Sequence, residues 1–345
     1  MKKYKIAIVA GGDSSEHDVS LKSAAGILSW IDTNKFDAEI VELKGADIET
    51  LNKLVAFDFA YITIHGTPGE NGLLQGFLEM MHIPFSCCGV LPAALTFNKY
   101  ACNHYLQDFG MRIANSVLLR KITTASQSAH SGSTDAYTLD DTSKFYIVGE
   151  NSVSLSGVHR EYKDIIPVPS FIKSNVGGSS FGCSKVKTKE QILPAVQRAF
   201  QEGDEVICES LLEGIEITCG VYKTKNKAVA FPITEVVSKN EFFDYDAKYN
   251  GSVEEITPAR IPDEVRDRVQ ALTLKIYDIL GCKGIIRTDY IVTPHTDKDW
   301  DINLLEVNTT PGMTPTSFIP QQVRAAGLNI TEVLTEIIED QLIDK

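Results

Sequence analysis

Three oxygen-bearing side chains near the end of the chain, Asp289, Glu306 and Asn308, have the types and spacing of a hard-cation site, and Arg287 stands two residues before the first. Glu306 and Asn308 are two apart in an apolar run that reads as a strand, so both face the same way and can converge on one ion, the pattern of a magnesium site. The bland alternative is that acidic residues merely flank the buried strand positions Ile302, Leu304, Leu305 and Val307. In that phase, however, Glu306 and Asn308 are strand-interior polar groups, which is costly unless something pairs with them.

A second chemical feature is the run from Val176 to Gly182, VGGSSFG, where glycines let backbone N–H groups approach a phosphate and serines add donors. It is not a Walker A loop, because Cys183 stands where that motif demands lysine, and a hairpin turn is the alternative reading. Gly11 and Gly12 are adjacent with no glycine following through Asp18, so the dinucleotide-binding spacing is absent. Taken singly, His17 and His65 read as satisfied loop histidines and Lys99 as a solvated charge. Glu209 and Glu216 are candidates for hydrogen bonds to a base or ribose.

The elements that must position these groups fall into two styles. Lys5–Ala10 reads as a buried parallel strand, followed by a helix over Val19–Trp30, strands over Ala38–Leu43 and Phe59–Ile64, and helices over Glu49–Val55 and Leu73–Met81. That βαβ alternation predicts an open parallel sheet with a small-molecule site at its strand ends, at the loops from Gly11 to His17 and from His65 to Gly72. One helix is expected over Leu91–Phe109, closed by Gly110. Ile122–Lys144 is Ser/Thr-rich and predicts a mobile insert, with a short strand at Phe145–Val148 and no clear register over Glu150–Asp164. After a helix over Thr188–Glu202, which Pro194 should kink, the runs Glu205–Glu209, Ile215–Tyr222 and Ala228–Val237 alternate like antiparallel strands, so the second half reads as α+β. Glu241–Gly251 suits a functional loop; Pro262–Gly281, Ser317–Ala326 and Thr331–Ile343 read as helices.

With 345 residues and 43% hydrophobic content the chain can bury a substantial core in two or three domains. A formal net charge of -13 argues against a nucleic-acid or membrane-surface partner, so an anionic substrate must be met by a few placed cations or metals. The apolar run Ile6–Ala10 is too short for a signal segment or membrane span, which predicts a cytoplasmic protein. Seven cysteines, never spaced C-x-x-C, predict buried free thiols.

Together these pieces resemble the ATP-grasp superfamily and, within it, the D-alanine–D-alanine ligases. The resemblance runs through Gly11–Ser20, His65-Gly66, Lys173 with Gly177–Ser180, Lys248-Tyr249, Arg287–Asp289, and Glu306–Asn308 with Pro311–Thr314. It implies a three-domain fold, with a parallel α/β domain at 1–95, a central domain at 96–208 and a C-terminal domain at 209–345, and with ATP between two antiparallel sheets. The implied reaction joins two D-alanines through a D-alanyl phosphate, releasing ADP and phosphate, for peptidoglycan synthesis. ATP is the implied co-substrate; Mg2+ is expected as two ions, with Mn2+ a substitute, and a homodimer is the implied assembly.

Carried over residue by residue, Lys99, Lys173 and Lys248 look like phosphate contacts, Glu209 the hinge acceptor near adenine, Glu216 the ribose ligand, and Asp289, Glu306 and Asn308 the metal ligands. Glu16 matches the residue that binds the first D-alanine's ammonium, His65 lies near its carboxylate, and Ser317 matches the contact to the second carboxylate. Ser179 and Tyr249 resemble partners of Glu16 in a closing loop, while Arg287 and the Gly312 N–H look like oxyanion donors. Tyr249 goes with a dipeptide product rather than a depsipeptide. Departures are Asn71 and Asn98, where relatives often carry aspartate, Ser174, where proline is common, and the stretch 122–164, which does not match. Two other readings stand beside this one: an ATP-grasp ligase taking D-lactate or D-serine second, and a nucleotide-binding regulatory protein without turnover.

Overall fold

A computed structural model describes residues 3–45, 47–122, 137–139, 144–150, 161–178, 182–238, 253–296 and 299–342. The chain forms two compact units, one built from Met1–Phe97, Ile215–Val237 and Glu255–Lys345, the other from Asn98–Gly214 and Ser238–Glu254.

The first unit opens with β1 (Tyr4–Gly11), α1 (His17–Trp30), β2 (Phe36–Leu43), α2 (Ile48–Leu54), β3 (Phe59–Ile62), α3 (Leu73–Met80) and α4 (Val90–Phe97). The three strands are parallel in the order β2-β1-β3. Ile6 through Ala10 are fully buried, as expected of a strand covered on both faces. Asp47 caps α2 by accepting from the N–H groups of Glu49 and Thr50 at 3.0 and 3.2 Å.

The helix expected over Leu91–Phe109 is two helices. Asn98 leaves the helical region (φ -90, ψ 97) and its side chain accepts from the Ala101 N–H at 2.9 Å, capping a new helix, α5 (Lys99–Gln107). An Asx side chain that satisfies a fresh helix N-terminus makes the break stable, and it places Lys99 in the first turn.

The second unit continues with β4 (Arg112–Ile113), β5 (Ser116–Ile122), β6 (Tyr137–Thr138), β7 (Lys144–Glu150), α6 (Tyr162–Ile165), β8 (Ser170–Ser174), β9 (Ser184–Val186), α7 (Ile192–Ala199) and β10 (Glu205–Ser210). Its antiparallel sheet runs β6-β7-β5-β10-β8-β9. Val117, Leu119, Ile172, Val206 and Cys208 pack with Ile192, Val196 and Phe200 in one core. Pro194 does not kink a helix interior: it is the third residue of α7, in the first turn, where its missing N–H has no intrahelical partner to lose. The strand expected at Phe145–Val148 is present and longer, as β7. The remainder of the expected mobile insert, 123–136, 140–143 and 151–160, lies outside the described residues.

The chain then returns to the first unit through β11 (Ile215–Thr224), β12 (Lys227–Ala230) and β13 (Thr234–Ser238). Past β14 (Val253–Ile256) it continues as α8 (Asp263–Leu280), β15 (Ile285–Pro294), β16 (Trp300–Asn308), α9 (Phe318–Ala325) and α10 (Ile330–Leu342). The strand expected over Ala228–Val237 is divided at Phe231–Ile233, around Pro232. Within this unit the strands run β13-β11-β15-β16, with β12 also pairing to β11. Ile6, Ile8 and Phe59 share one apolar cluster with Tyr222, Phe231, Ile319 and Ile337, so the parallel sheet and the C-terminal helices are packed on common ground.

Candidate active site

The strand pair β15–β16 sets the site. Arg287 lies opposite Asn308 and Asp289 opposite Glu306, while on the other side Thr218 of β11 lies opposite Asp289 and Glu216 opposite Ile291. Directly paired residues share a sheet face, as do residues two apart on one strand. Glu216, Thr218, Arg287, Asp289, Glu306 and Asn308 therefore stand on a single face.

A bulge makes this possible. The pairing shifts between Asp289 and Tyr290, which is opposite Leu304, leaving Leu305 as the extra residue. Without it Glu306 would fall opposite Thr288 and point to the other side, where Thr288, Val307 and Tyr290 are buried.

Arg287 grips Asp289 as a fork: its Nε donates to Oδ1 at 2.9 Å and its Nη2 to Oδ2 at 2.8 Å. Both side chains are mostly buried, at 13% and 14% exposed. Burial by itself would lower the Arg287 pKa, but the Asp289 carboxylate, with Glu306 and Glu70 adding to it, raises it above its ordinary value. The guanidinium also lies over the Phe318 ring, 5.4 Å from its centre, and is a permanently charged, fixed donor.

Asn308 Oδ1 accepts from the Thr310 N–H at 2.9 Å, starting the turn that carries Gly312. The Met313 N–H donates to Ser23 of α1 at 3.2 Å, and Ser317 accepts from the Thr314 N–H at 3.1 Å as it opens α9. A Cβ on Gly312 would come within 3.0 Å of the Ser317 Oγ, so Gly312 and Ser317 are neighbours.

At the parallel sheet, Glu16 is the N-cap residue of α1, and its N–H donates to Ser14 Oγ at 3.2 Å. Ser14 in turn donates to the His65 carbonyl at 2.8 Å, joining the two loops. His65 is 6% exposed. Its Nδ1 is 3.7 Å from Glu70, whose other oxygen accepts from the Gly66 N–H at 2.7 Å. The reading of His65 as a satisfied histidine fails at Nε2, which is buried and has no hydrogen-bond partner among the described residues. Glu70, which lies 3.7 Å from this histidine and adds to the field on Arg287, was not singled out from sequence; its position in the polar loop after β3 was the available signal. His17 is held by Glu42 at 3.2 Å and Asp18 at 3.4 Å.

In the second unit Lys99 donates to the Gly177 carbonyl at 2.5 Å, so it is tied to the glycine-rich loop rather than merely solvated. Buried Asn175 fixes this arrangement through the Tyr100 N–H at 2.8 Å and Glu205 at 2.8 Å. Lys173 and Glu209 come together at 2.8 Å, with Glu209 only 7% exposed. Ser179, Lys248 and Tyr249 lie outside the described residues.

Among the described residues no three His, Cys, Asp or Glu side chains form a metal-holding group. A cation on the β15–β16 face would thus take Asp289, Glu306 and an amide oxygen from Asn308, a hard-oxygen set that suits magnesium.

Residues 142–339 match the family model described as D-ala D-ala ligase C-terminus. A D-alanine–D-alanine ligase of Bacteroides fragilis (strain YCH46) is 53% identical over 358 residues, covering 98% of this chain and 99% of the relative. The chain belongs to the D-alanine–D-alanine ligase family. It has the ATP-grasp fold and is an enzyme of the ligase class. Among solved structures it is similar to the VanG D-Ala:D-Ser ligase from Enterococcus faecalis (TM-score 0.74, 28% identity, 98% of this chain and 99% of that one). It is likewise similar to a D-alanine–D-alanine ligase from Bacillus anthracis complexed with ATP (TM-score 0.73, 26% identity, 99% and 98%). The family match begins within the stretch 122–164 that the sequence reading set outside the family pattern, so from residue 142 onward that expectation is corrected. The strand β7, foreseen at Phe145–Val148, falls within this match and pairs with β5.

Proposed function

We propose that the enzyme joins two D-alanines to D-alanyl-D-alanine at the expense of ATP, through a D-alanyl phosphate, supplying the dipeptide for peptidoglycan. The observation that carries this reading is the placement of Arg287, Asp289, Glu306 and Asn308 on one sheet face in a chain 53% identical to a D-alanine–D-alanine ligase.

In this mechanism Glu16 binds the ammonium of the first D-alanine at the start of α1, and His65, beside Glu70, faces its carboxylate. Lys99, Lys173 and Lys248 bind the phosphates, Glu209 the adenine and Glu216 the ribose. The substrate carboxylate attacks the γ-phosphorus; the P–O bond to ADP breaks as the acyl phosphate forms. Two anions must approach for this, and a lysine cluster lowers that cost. Asp289, Glu306 and Asn308 hold Mg2+, which when bound neutralises phosphate charge, and Mn2+ can replace it. The amine of the second D-alanine, its carboxylate held by Ser317, then attacks the acyl carbon. The oxyanion that develops is met by Arg287 and the Gly312 N–H, and phosphate leaves as the peptide bond forms. Ser179 and Tyr249 close a loop with Glu16 that keeps water from the acyl phosphate.

The three-domain division at 1–95, 96–208 and 209–345, a cytoplasmic location and a homodimer belong to the same reading. The test is one assay: ATP, Mg2+ and D-alanine, D-serine or D-lactate, with phosphate release measured and the product identified. D-alanyl-D-alanine is expected as the preferred product at neutral pH. Preferred use of D-serine or D-lactate would overturn the substrate assignment, and the absence of amino-acid-dependent phosphate release would overturn the activity.

A further inference from the structure

Thr218 carries no obvious chemistry in the sequence, yet it is 2% exposed and its hydroxyl donates to Asp289 Oδ1 at 2.5 Å. Asp289 thus receives three hydrogen bonds, one from Thr218 on β11 and two from Arg287 on its own strand. A carboxylate oxygen has two lone-pair directions. Among the described residues Oδ1 has both engaged, by Thr218 and the Arg287 Nε, while Oδ2 has one engaged, by the Arg287 Nη2, and one open.

Thr218 is itself fixed from behind. Gln322 of α9 is fully buried; its Nε2 donates to the Thr218 carbonyl at 3.0 Å and to the Thr234 hydroxyl at 3.1 Å, and its Oε1 accepts from the Gly220 N–H at 3.0 Å. The strand carrying Thr218 cannot shift along its length without breaking these bonds. Its hydroxyl is therefore a preset donor that fixes the rotation of the Asp289 carboxylate.

We propose that Thr218 is a positioning residue for the metal carboxylate, holding Asp289 so that Oδ2 presents its open lone pair to a divalent cation. This rests on the assignment of Asp289 as a metal ligand. Arg287 alone cannot do the same, because its two bonds pivot with its own long side chain, whereas Thr218 anchors Asp289 to a neighbouring strand. Partners of this kind typically alter metal affinity by about 10- to 100-fold when removed.

The test uses Mn2+ as probe, titrated into the full-length protein with a non-hydrolysable ATP analogue present, free Mn2+ being read by electron paramagnetic resonance. Thr218→Val keeps the shape and removes the donor; its Kd for Mn2+ should rise about tenfold or more. Thr218→Ser keeps the donor and should stay within about twofold of wild type, while analogue binding in EDTA should be alike in all three. If Thr218→Val does not fold, Thr218→Ala against Thr218→Ser makes the same comparison. Unchanged Mn2+ affinity in Thr218→Val, or equal weakening in Thr218→Ser, overturns the proposal. Failure of the wild-type protein to bind Mn2+ beside the analogue overturns the metal assignment itself, a separate outcome.

Discussion

Arg287 holds Asp289 through a fork, and in the proposed mechanism its remaining N–H groups meet the oxyanion. Lysine could carry the charge but not the fork. Arg287→Ala should fold, since the position is at the rim of the core rather than within its apolar clusters. Its kcat should fall by about 10²- to 10³-fold, on the order of 3 to 4 kcal/mol of barrier, the range measured for a lost oxyanion donor. Steady-state kinetics with circular dichroism as folding control checks this, and a near-normal kcat would refute the role. At this scale the sequence was informative about residue types and blind to their partners. Asp289, Glu306 and Asn308 could be picked out because polar side chains inside a strand need a reason. Thr218 could not, because a threonine in a strand is ordinary until the atoms it touches are known, and Glu70 was marked only by its place in a polar loop.

The strands and helices were legible wherever one pattern dominated, as in the apolar run Ile6–Ala10 of β1 and the amphipathic α8, which ends at Gly281 with φ 62. They were misread where a local hydrogen bond overrode the period, as at Asn98, which divides an expected single helix. The β16 bulge left a trace in the doubled apolar pair Leu304-Leu305, but only pairing with β15 shows that it turns Glu306 to the Asp289 face. The contact between β11 and α9 gives a prediction of its own. A Cβ on Gly220 would lie 2.4 Å from Ile319 Cδ1 and 2.7 Å from Gln322 Oε1, both fully buried. Gly220→Ala should destabilise the fold by about 1 to 3 kcal/mol through overpacking. Gly76→Ala in α3, where an added Cβ would meet Val90 Cγ2 only at 3.7 Å, should be neutral or gain up to about 1 kcal/mol from helix propensity. Denaturant midpoints of the two variants compare them directly; equal midpoints would contradict the packing argument.

For the whole molecule, composition pointed to a globular acidic protein and to buried thiols, and the seven cysteines are all outside disulfides, six of them buried and Cys183 partly accessible. Burial pushes the Cys87 and Cys219 thiols up to about 12 and raises Cys208 as well, so little thiolate exists at neutral pH. Titration of the folded protein with an aromatic disulfide should therefore show one fast thiol, assigned to Cys183 by its loss in Cys183→Ser, and the other six only on unfolding. Several fast thiols in the native protein would mean that these cores open readily. Among the described residues no helix is long and apolar enough to cross a membrane.

What the sequence determined by itself was residue chemistry and class: hard-oxygen side chains beside an arginine, glycine-rich loops, and enough ordered motifs to resemble one ligase family. Those are properties of residue types and spacings, which a linear string carries in full. Which oxygen of Asp289 is open, why His65 has a bare nitrogen, and how Glu306 comes to face Asp289 were decided only in three dimensions. Each depends on a hydrogen bond or strand register between residues far apart in the chain, and such pairings are selected by the packing of the folded core rather than by any local preference.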